Sequence, residues 1–166
     1  MGRRFYVGGR VTNTKYGSTK VVFKGIKFDS TYERDRYIHL LHMQREGRIS
    51  QLRLQVSFNI IPQTTKMVEE QLKTKVRYKK VVVEQDADYT CDFIYLEDGV
   101  YIMEEFKSEM TSKLSDYILR RKLMIRKIYE HNAKGHGQWR FREVIYARGG
   151  KLKIEDKWIA CFVEVS

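Results

Sequence analysis

Two carboxylates and a lysine stand where one hairpin would gather them. Asp92 lies in YTCDFIY, Glu105 and Lys107 lie in VYIMEEFK, and Asp98-Gly99 between them is a two-residue turn signal. With those two residues at the centre of a type I′ turn, Glu97 faces Val100, and counting back along both strands sets Asp92 opposite Glu105. Directly opposed residues have Cβ atoms about 4.5 to 5.5 Å apart, where like charges destabilise a sheet unless something compensates them. A divalent cation would do so. Lys107, two residues beyond Glu105, falls in the same row as Tyr101 and Met103, whereas Glu104 points to the other face with Ile102 and Phe106. Hard carboxylate oxygens favour magnesium or manganese, ions that prepare a hydroxide and offset charge developing on a phosphodiester; a lysine beside them can position that water or act on it. The plainer reading is a surface salt bridge between Glu105 and Lys107 with Asp92 solvated, and spacing alone does not choose between the two.

The elements around this hairpin follow from periodicity and punctuation. Ser30 is a favoured N-cap with Glu33 three residues on, and the pattern through Tyr37, Leu40 and Leu41 to Gly47 predicts a helix over 30–46. Val21 to Phe28, broken by Lys24-Gly25, reads as a short two-stranded element. Leu52, Leu54, Val56, Phe58 and Ile60 alternate with polar residues until Pro62, which is a half-buried strand. Residues 63–76 show little pattern, as an irregular loop or a short helix near Val68 to Leu72 would. Tyr78 to Val83 and Tyr89 to Tyr95 read as strands. Thr111 or Ser112 can cap a second helix over 112–131, with Leu114, Tyr117, Ile118, Ile125 and Ile128 on its apolar side. Trp139 to Tyr146 and Lys157 to Val165 read as two last strands joined across Gly149-Gly150. The order is mixed α/β: a mixed central sheet flanked by helices, in a single domain over 1–166 with a basic N-terminal arm over 1–20.

Charge narrows the partner. The 166 residues carry 32 Lys and Arg against 21 Asp and Glu, a net +11 that draws polyanions, and nucleic acid is the expected one. No apolar run is long enough to span a bilayer and MGRRFYVGGR is no secretion signal, so a cytoplasmic protein without membrane contact is expected. Cys91 and Cys161, far apart and without zinc spacing, read as buried reduced thiols. His39, His42, His131 and His136 invite a metal reading, yet His39 and His42 lie on a helix face without an acidic third ligand nearby. Glu84, Asp86 and Asp88 form an acidic cluster that fits a solvated turn better than a cation site and stays a secondary metal candidate.

YTCDFIY, the Asp-Gly turn and VYIMEEFK together resemble the core hairpin of the PD-(D/E)XK nuclease superfamily, with Asp92, Glu105 and Lys107 at its three motif positions. More narrowly, GIKFDSTYERDRYIHLLHMQREGRISQLRLQ with YTCDF, EEFK and DYILRRKLM, residues 25 to about 129, is similar to a phage and prophage family of uncharacterised function grouped with these nucleases. The resemblance implies a restriction-endonuclease-like core and a magnesium-dependent (or manganese-dependent) endodeoxyribonuclease, with Asp92 and Glu105 as metal ligands and Lys107 catalytic. It also implies that Glu33, which the capping box already explains, joins the site. Cys91 stands where relatives carry proline, and Glu104-Glu105 where they usually carry Glu-Asp. Gln55 resembles a family glutamine, though an alternating strand needs no functional reason for it.

The second helix would place Arg120, Arg121, Lys122, Arg126 and Lys127 behind the Glu-x-Lys strand, on DNA phosphates. By analogy the substrate is branched or duplex DNA, such as a Holliday junction, and the enzyme is a homodimer. The alternative is a catalytically inactive DNA-binding protein that keeps the fold. RNA binding ranks third, because the Tyr and Phe residues alternate as core positions and form no stacking motif.

Overall fold

The computed structural model describes residues 20–147 and 150–157. The 1–20 arm up to residue 19, Cys161, Gly149 and the expected strand beyond Lys157 lie outside them. The chain groups into two compact units, residues 1–52 and 53–166. In the first, β1 (Val21–Phe23) and β2 (Ile26–Phe28) pair antiparallel about Lys24 and Gly25, both left-handed at φ 49° and 78°. Helix α1 (Thr31–Arg45) follows. Ser30 Oγ accepts the Glu33 N–H at 3.1 Å, and the Glu33 carboxylate accepts the Asp29 N–H at 2.9 Å, so the expected capping box forms with its return bond one residue early. Tyr37 and Leu40 bury the inner stripe of α1 with Phe28 and Ile49, and Gly47, at φ 71°, ends the helix.

Strand β3 (Ser50–Ile61) carries the predicted alternation, every second side chain half-buried from Leu52 to Ile60. The second unit continues with β4 (Thr64–Gln71), β5 (Val76–Glu84), β6 (Ala87–Glu97), β7 (Val100–Ser108), a 3-10 turn (Thr111–Lys113), α2 (Ser115–Ala133), β8 (Trp139–Tyr146) and β9 (Leu152–Lys157). Five strands form one mixed sheet in the order β3-β6-β7-β8-β9, with β7 and β8 parallel across the α2 connection and the pairs β6-β7 and β8-β9 antiparallel. Helix α2 covers one face. Its Met124 and Ile128 pack with Ile94, Met103 and Phe141, and each such full burial stabilises by about 1.5–3 kcal/mol. Asn132 brackets Trp139 at the far end, its Oδ1 accepting the Trp139 N–H at 2.9 Å and its Nδ2 donating to the Trp139 carbonyl at 2.8 Å, which fixes where β8 begins.

Two expectations need correcting. Residues 64–71 are neither loop nor helix but β4, paired antiparallel with β5 as a separate two-stranded ribbon. Such a strand buries almost nothing, so it leaves no apolar period to read. Neither Thr111 nor Ser112 caps α2. Thr111 is spent on Ser108, Oγ1 to Oγ 2.9 Å, and Leu114 occupies the N-cap position without a side-chain bond. Strand β9 (Leu152–Lys157) is one the sequence reading did not give; of the expected strand over 157–165 only Lys157 is among the described residues.

Candidate active site

The hairpin is built as its turn dictates. Asp98 and Gly99 are both left-handed, at φ 50° and 78°, and the register runs from Glu97↔Val100 to Phe93↔Glu104. Strand pairing stops one step short of Asp92 and Glu105. There the Asp92 carboxylate accepts the Phe106 N–H at 2.7 Å, so a side chain takes the backbone donor. Lys107 Nζ lies 3.4 Å from Asp92 Oδ2, and it makes a closer ion pair with Glu105 Oε1. The solvated surface pair is therefore not what forms, for Glu105 is only 3% exposed.

Burial and charge act together on these groups. Burial, then the neighbouring Asp92, pushes the Glu105 carboxyl up from 4.5 to about 7, with Lys107 pulling against them. Burial also raises Asp92, outweighing Lys107 and the Phe106 amide. Burial would lower Lys107, but the Asp92 and Glu105 carboxylates more than offset it, so the ammonium stays charged at neutral pH. Glu105 Oε2 and the Tyr89 hydroxyl are buried and neither makes a hydrogen bond of ordinary geometry among the described residues, although Tyr89 is near enough to pull the Glu105 carboxyl down. Both residues line a cleft of about 340 Å³ together with Lys107, Thr111, Tyr117 and Arg120.

Glu143 sits opposite Glu105 on the parallel neighbour β8 and is fully buried. It accepts from Tyr117 Oη at 2.6 Å and from Arg121 Nη1 at 2.7 Å, and the Lys107 ammonium lies 5.6 Å from the centre of the Tyr117 ring. Sequence reading missed Tyr89, Tyr117 and Glu143. For Tyr89 the cause is local: counting by twos from Asp92 assigns it the opposite face, yet Tyr89 and Cys91 pack with Ile94 and Met103, so the two-residue period slips between Cys91 and Ile94. Glu143 had a signal, since β8 runs parallel to β7 and shares its row.

The five cations of α2 separate. Arg121 turns inward onto Glu143. Arg120 is exposed at the cleft and donates to the Asp88 carbonyl at 2.6 Å; Arg126 pairs with Glu130 one turn on, Lys127 reaches the Asn59 carbonyl, and Lys122 is exposed. Glu33 belongs to the first unit, where it is buried as the α1 cap residue. In the acidic cluster, Asp86 and Asp88 accept from the Asn59 amide at 3.3 and 3.1 Å. The His131 and His136 rings lie tilted to each other by 50°, their centres 5.6 Å apart. Cys91 is buried, its thiol pushed up to about 12 by burial and by Glu105 and Asp92.

No set of three or more His, Cys, Asp or Glu side chains gathers as a metal group among the described residues. The two-carboxylate site nonetheless suits a hard divalent cation: Glu105 Oε2 is an unsatisfied buried acceptor, and Asp92 and Glu105 already require a positive charge, which Lys107 supplies. No helix among the described residues is long and apolar enough to cross a membrane. A family described as "Protein of unknown function (DUF1064)" matches residues 13–148, most of the chain, and its description names no activity. No curated protein matches the chain.

Proposed function

Because the chain belongs to this family of unknown function, its own site has to carry the reading, and we propose a metal-dependent hydrolase of DNA phosphodiester bonds. The observation that carries the proposal is the buried Glu105 Oε2, without a hydrogen bond of ordinary geometry at a cleft that Lys107 also lines, the same lysine reaching Asp92. Native proteins seldom leave a buried carboxylate oxygen unsatisfied unless something binds there. Asp92 and Glu105 would hold the cation, and magnesium or manganese would supply Lewis acidity and an ionised water at neutral pH. Lys107, kept protonated by the two carboxylates, donates to a phosphate oxygen or orients water and does not take a proton. The Tyr89 hydroxyl, whose ionisation is strongly opposed by burial and by Glu105, likewise acts only as a donor into the cleft. Arg120, with Lys122 and Arg126 on the exposed side of α2, meets the phosphates; Arg121 does not, being engaged with Glu143.

One observation favours the inactive DNA-binding alternative: Lys107 already neutralises both acids internally, as a purely structural ion pair would. The two readings part on one experiment. Linear duplex, single-stranded, flap and four-way DNA are incubated with the protein in magnesium, manganese or chelator. Cleavage that needs the metal and disappears in Glu105→Gln, with DNA binding retained, is the expected result. Binding to every substrate without cleavage in either metal leaves only the inactive reading, and cutting that survives chelator removes the metal site. The same panel reads out whether branched DNA is preferred, which nothing in the cleft dictates.

A further inference from the structure

Strands β4 and β5 stand apart from the five-stranded sheet, paired only with each other, and every residue in them is exposed except Thr65 and Val81, which are half-buried. Opposed residues of an antiparallel pair share a face, so the register separates two surfaces. Lys66↔Val81, Val68↔Lys79 and Glu70↔Arg77 lie on one; Met67↔Lys80, Glu69↔Tyr78 and Gln71↔Val76 lie on the other. Beyond Gln71↔Val76 the Leu72 N–H reaches the Lys75 carbonyl at 3.0 Å, which puts Lys75 at the tip of the first face. That face thus presents Lys66, Lys75, Arg77 and Lys79 against the single carboxylate of Glu70. None of the four cations makes a salt bridge with another described residue, although Glu70 lies across from Arg77.

We propose that this ribbon is a nucleic-acid contact of its own, laying its basic face into the major groove of duplex DNA. The fit is geometric as well as electrostatic. The B-DNA major groove, about 12 Å wide and 8.5 Å deep, admits a two-stranded β-ribbon. Eight residues at about 3.3 Å each give a ribbon of roughly 26 Å, long enough to follow most of a helical turn of about 34 Å. Lys75, just ahead of β5, and Arg77 and Lys79 within it recur at every second residue, about 6.7 Å apart where the chain is extended. That is close to the axial rise over two phosphate steps on one strand, about 6.8 Å, so the cations match every second phosphate. Val68 and Leu72 lie between the cations as apolar side chains able to touch thymine methyl groups. Duplex RNA is excluded, because its major groove is deep and too narrow for side chains to read. The ribbon contact holds whether or not the cleft hydrolyses DNA.

The test is binding of a labelled blunt DNA duplex by the full chain in chelator, followed by anisotropy over a salt series. Lys75→Ala, Arg77→Ala and Lys79→Ala combined should lower the slope of log K against log salt by about 2.7, at about 0.9 per lost phosphate contact. The melting temperature should stay at the wild-type value, since all three residues are exposed. Should the triple variant melt early, Lys66→Gln with Lys79→Gln, one change on each strand, should still lower the slope by about 1.8. An unchanged slope overturns the proposal, as does a wild type that binds no duplex in chelator. An equal loss on duplex RNA of the same sequence overturns the groove and leaves charge alone. If the slope holds while Met67→Glu with Tyr78→Glu alters the sedimentation coefficient, the ribbon contacts a second copy of the chain and the proposal also fails. A lowered slope in a chain that cuts nothing with magnesium keeps the ribbon and removes only the hydrolase.

Discussion

Glu104 and Glu105 are neighbours, both buried, on opposite faces of one strand, and the two faces treat them differently. Glu104 Oε2 accepts the Tyr95 hydroxyl at 2.6 Å; Tyr95 accepts in turn from Arg142, whose guanidinium also holds Glu97 and Asp156, the latter through two nitrogens. Every charge in that network has an opposite charge or a donor on it. On the other face neither Glu105 Oε2 nor the Tyr89 hydroxyl makes a hydrogen bond of ordinary geometry among the described residues, and both residues border a cleft. A fully connected buried network rigidifies a fold, whereas a half-satisfied one lowers stability and is retained where a ligand completes it. The contrast separates a satisfied side of the hairpin from an open one, with a single residue step between them, and it is the open side that the proposed hydrolase would use.

The largest expected effect lies on the satisfied side. Arg142→Ala would strand Glu97 and the Tyr95–Glu104 pair and leave Asp156 to Arg140 alone, and breaking a buried ion pair from one partner costs about 3–5 kcal/mol. Urea unfolding should show that loss with an unchanged m-value. A loss under 1 kcal/mol would mean that the network is solvated and the contrast false.

The open side should respond to pH instead. The Glu105 carboxyl is raised from 4.5 to about 7 by folding. Between those values the folded chain binds more protons than the unfolded one, so the Glu105 contribution is complete below pH 4.5 and is lost as pH rises to about 7, by up to about 3 kcal/mol. Glu105→Gln should lack that slope and should equal or exceed the wild type in stability at neutral pH. Magnesium should stabilise the wild type and not the variant, since a ligand stabilises only a fold that binds it. Melts in chelator and in magnesium across pH 4–8 measure both; parallel wild-type and variant curves would leave Glu105 as ordinary structure.

The smallest effect compares two tyrosines. Tyr95→Phe leaves Glu104 without its donor and should cost about 1–3 kcal/mol. Tyr89→Phe removes a buried hydroxyl that makes no hydrogen bond of ordinary geometry among the described residues, so the metal-free fold should be unchanged or gain up to about 1 kcal/mol. Equal losses in the two variants would show that Tyr89 is bonded after all.

What the sequence disclosed follows from where local chemistry decides the outcome. Asp98-Gly99 sets its own turn and hence the register, which is why alternation separated Glu105 from Glu104 correctly. Ser30 and Glu33 sit within one turn of each other and cap α1 as read, with only the return bond displaced to Asp29. The misses are residues governed from a distance. Arg121 reads as one more surface cation until β8 places Glu143 beneath it. Tyr89 is hidden by a slip in the strand period, and β4 by the absence of burial that makes periods visible.

The parallel pairing of β7 with β8 also bears on the order of folding. The β6-β7 hairpin closes across two turn residues and can form within about 1–10 μs, while β7-β8 pairing must wait for the chain from Glu109 to Gln138, with α2 inside it, to close its loop. Asp92 and Glu105 therefore meet while still in water, where their repulsion is weak. The full penalty arises only when Met124 and Ile128 of α2 settle on Met103 and shut water out. The cost of opposing the two acids is therefore expected to fall on helix docking rather than on closure of the hairpin.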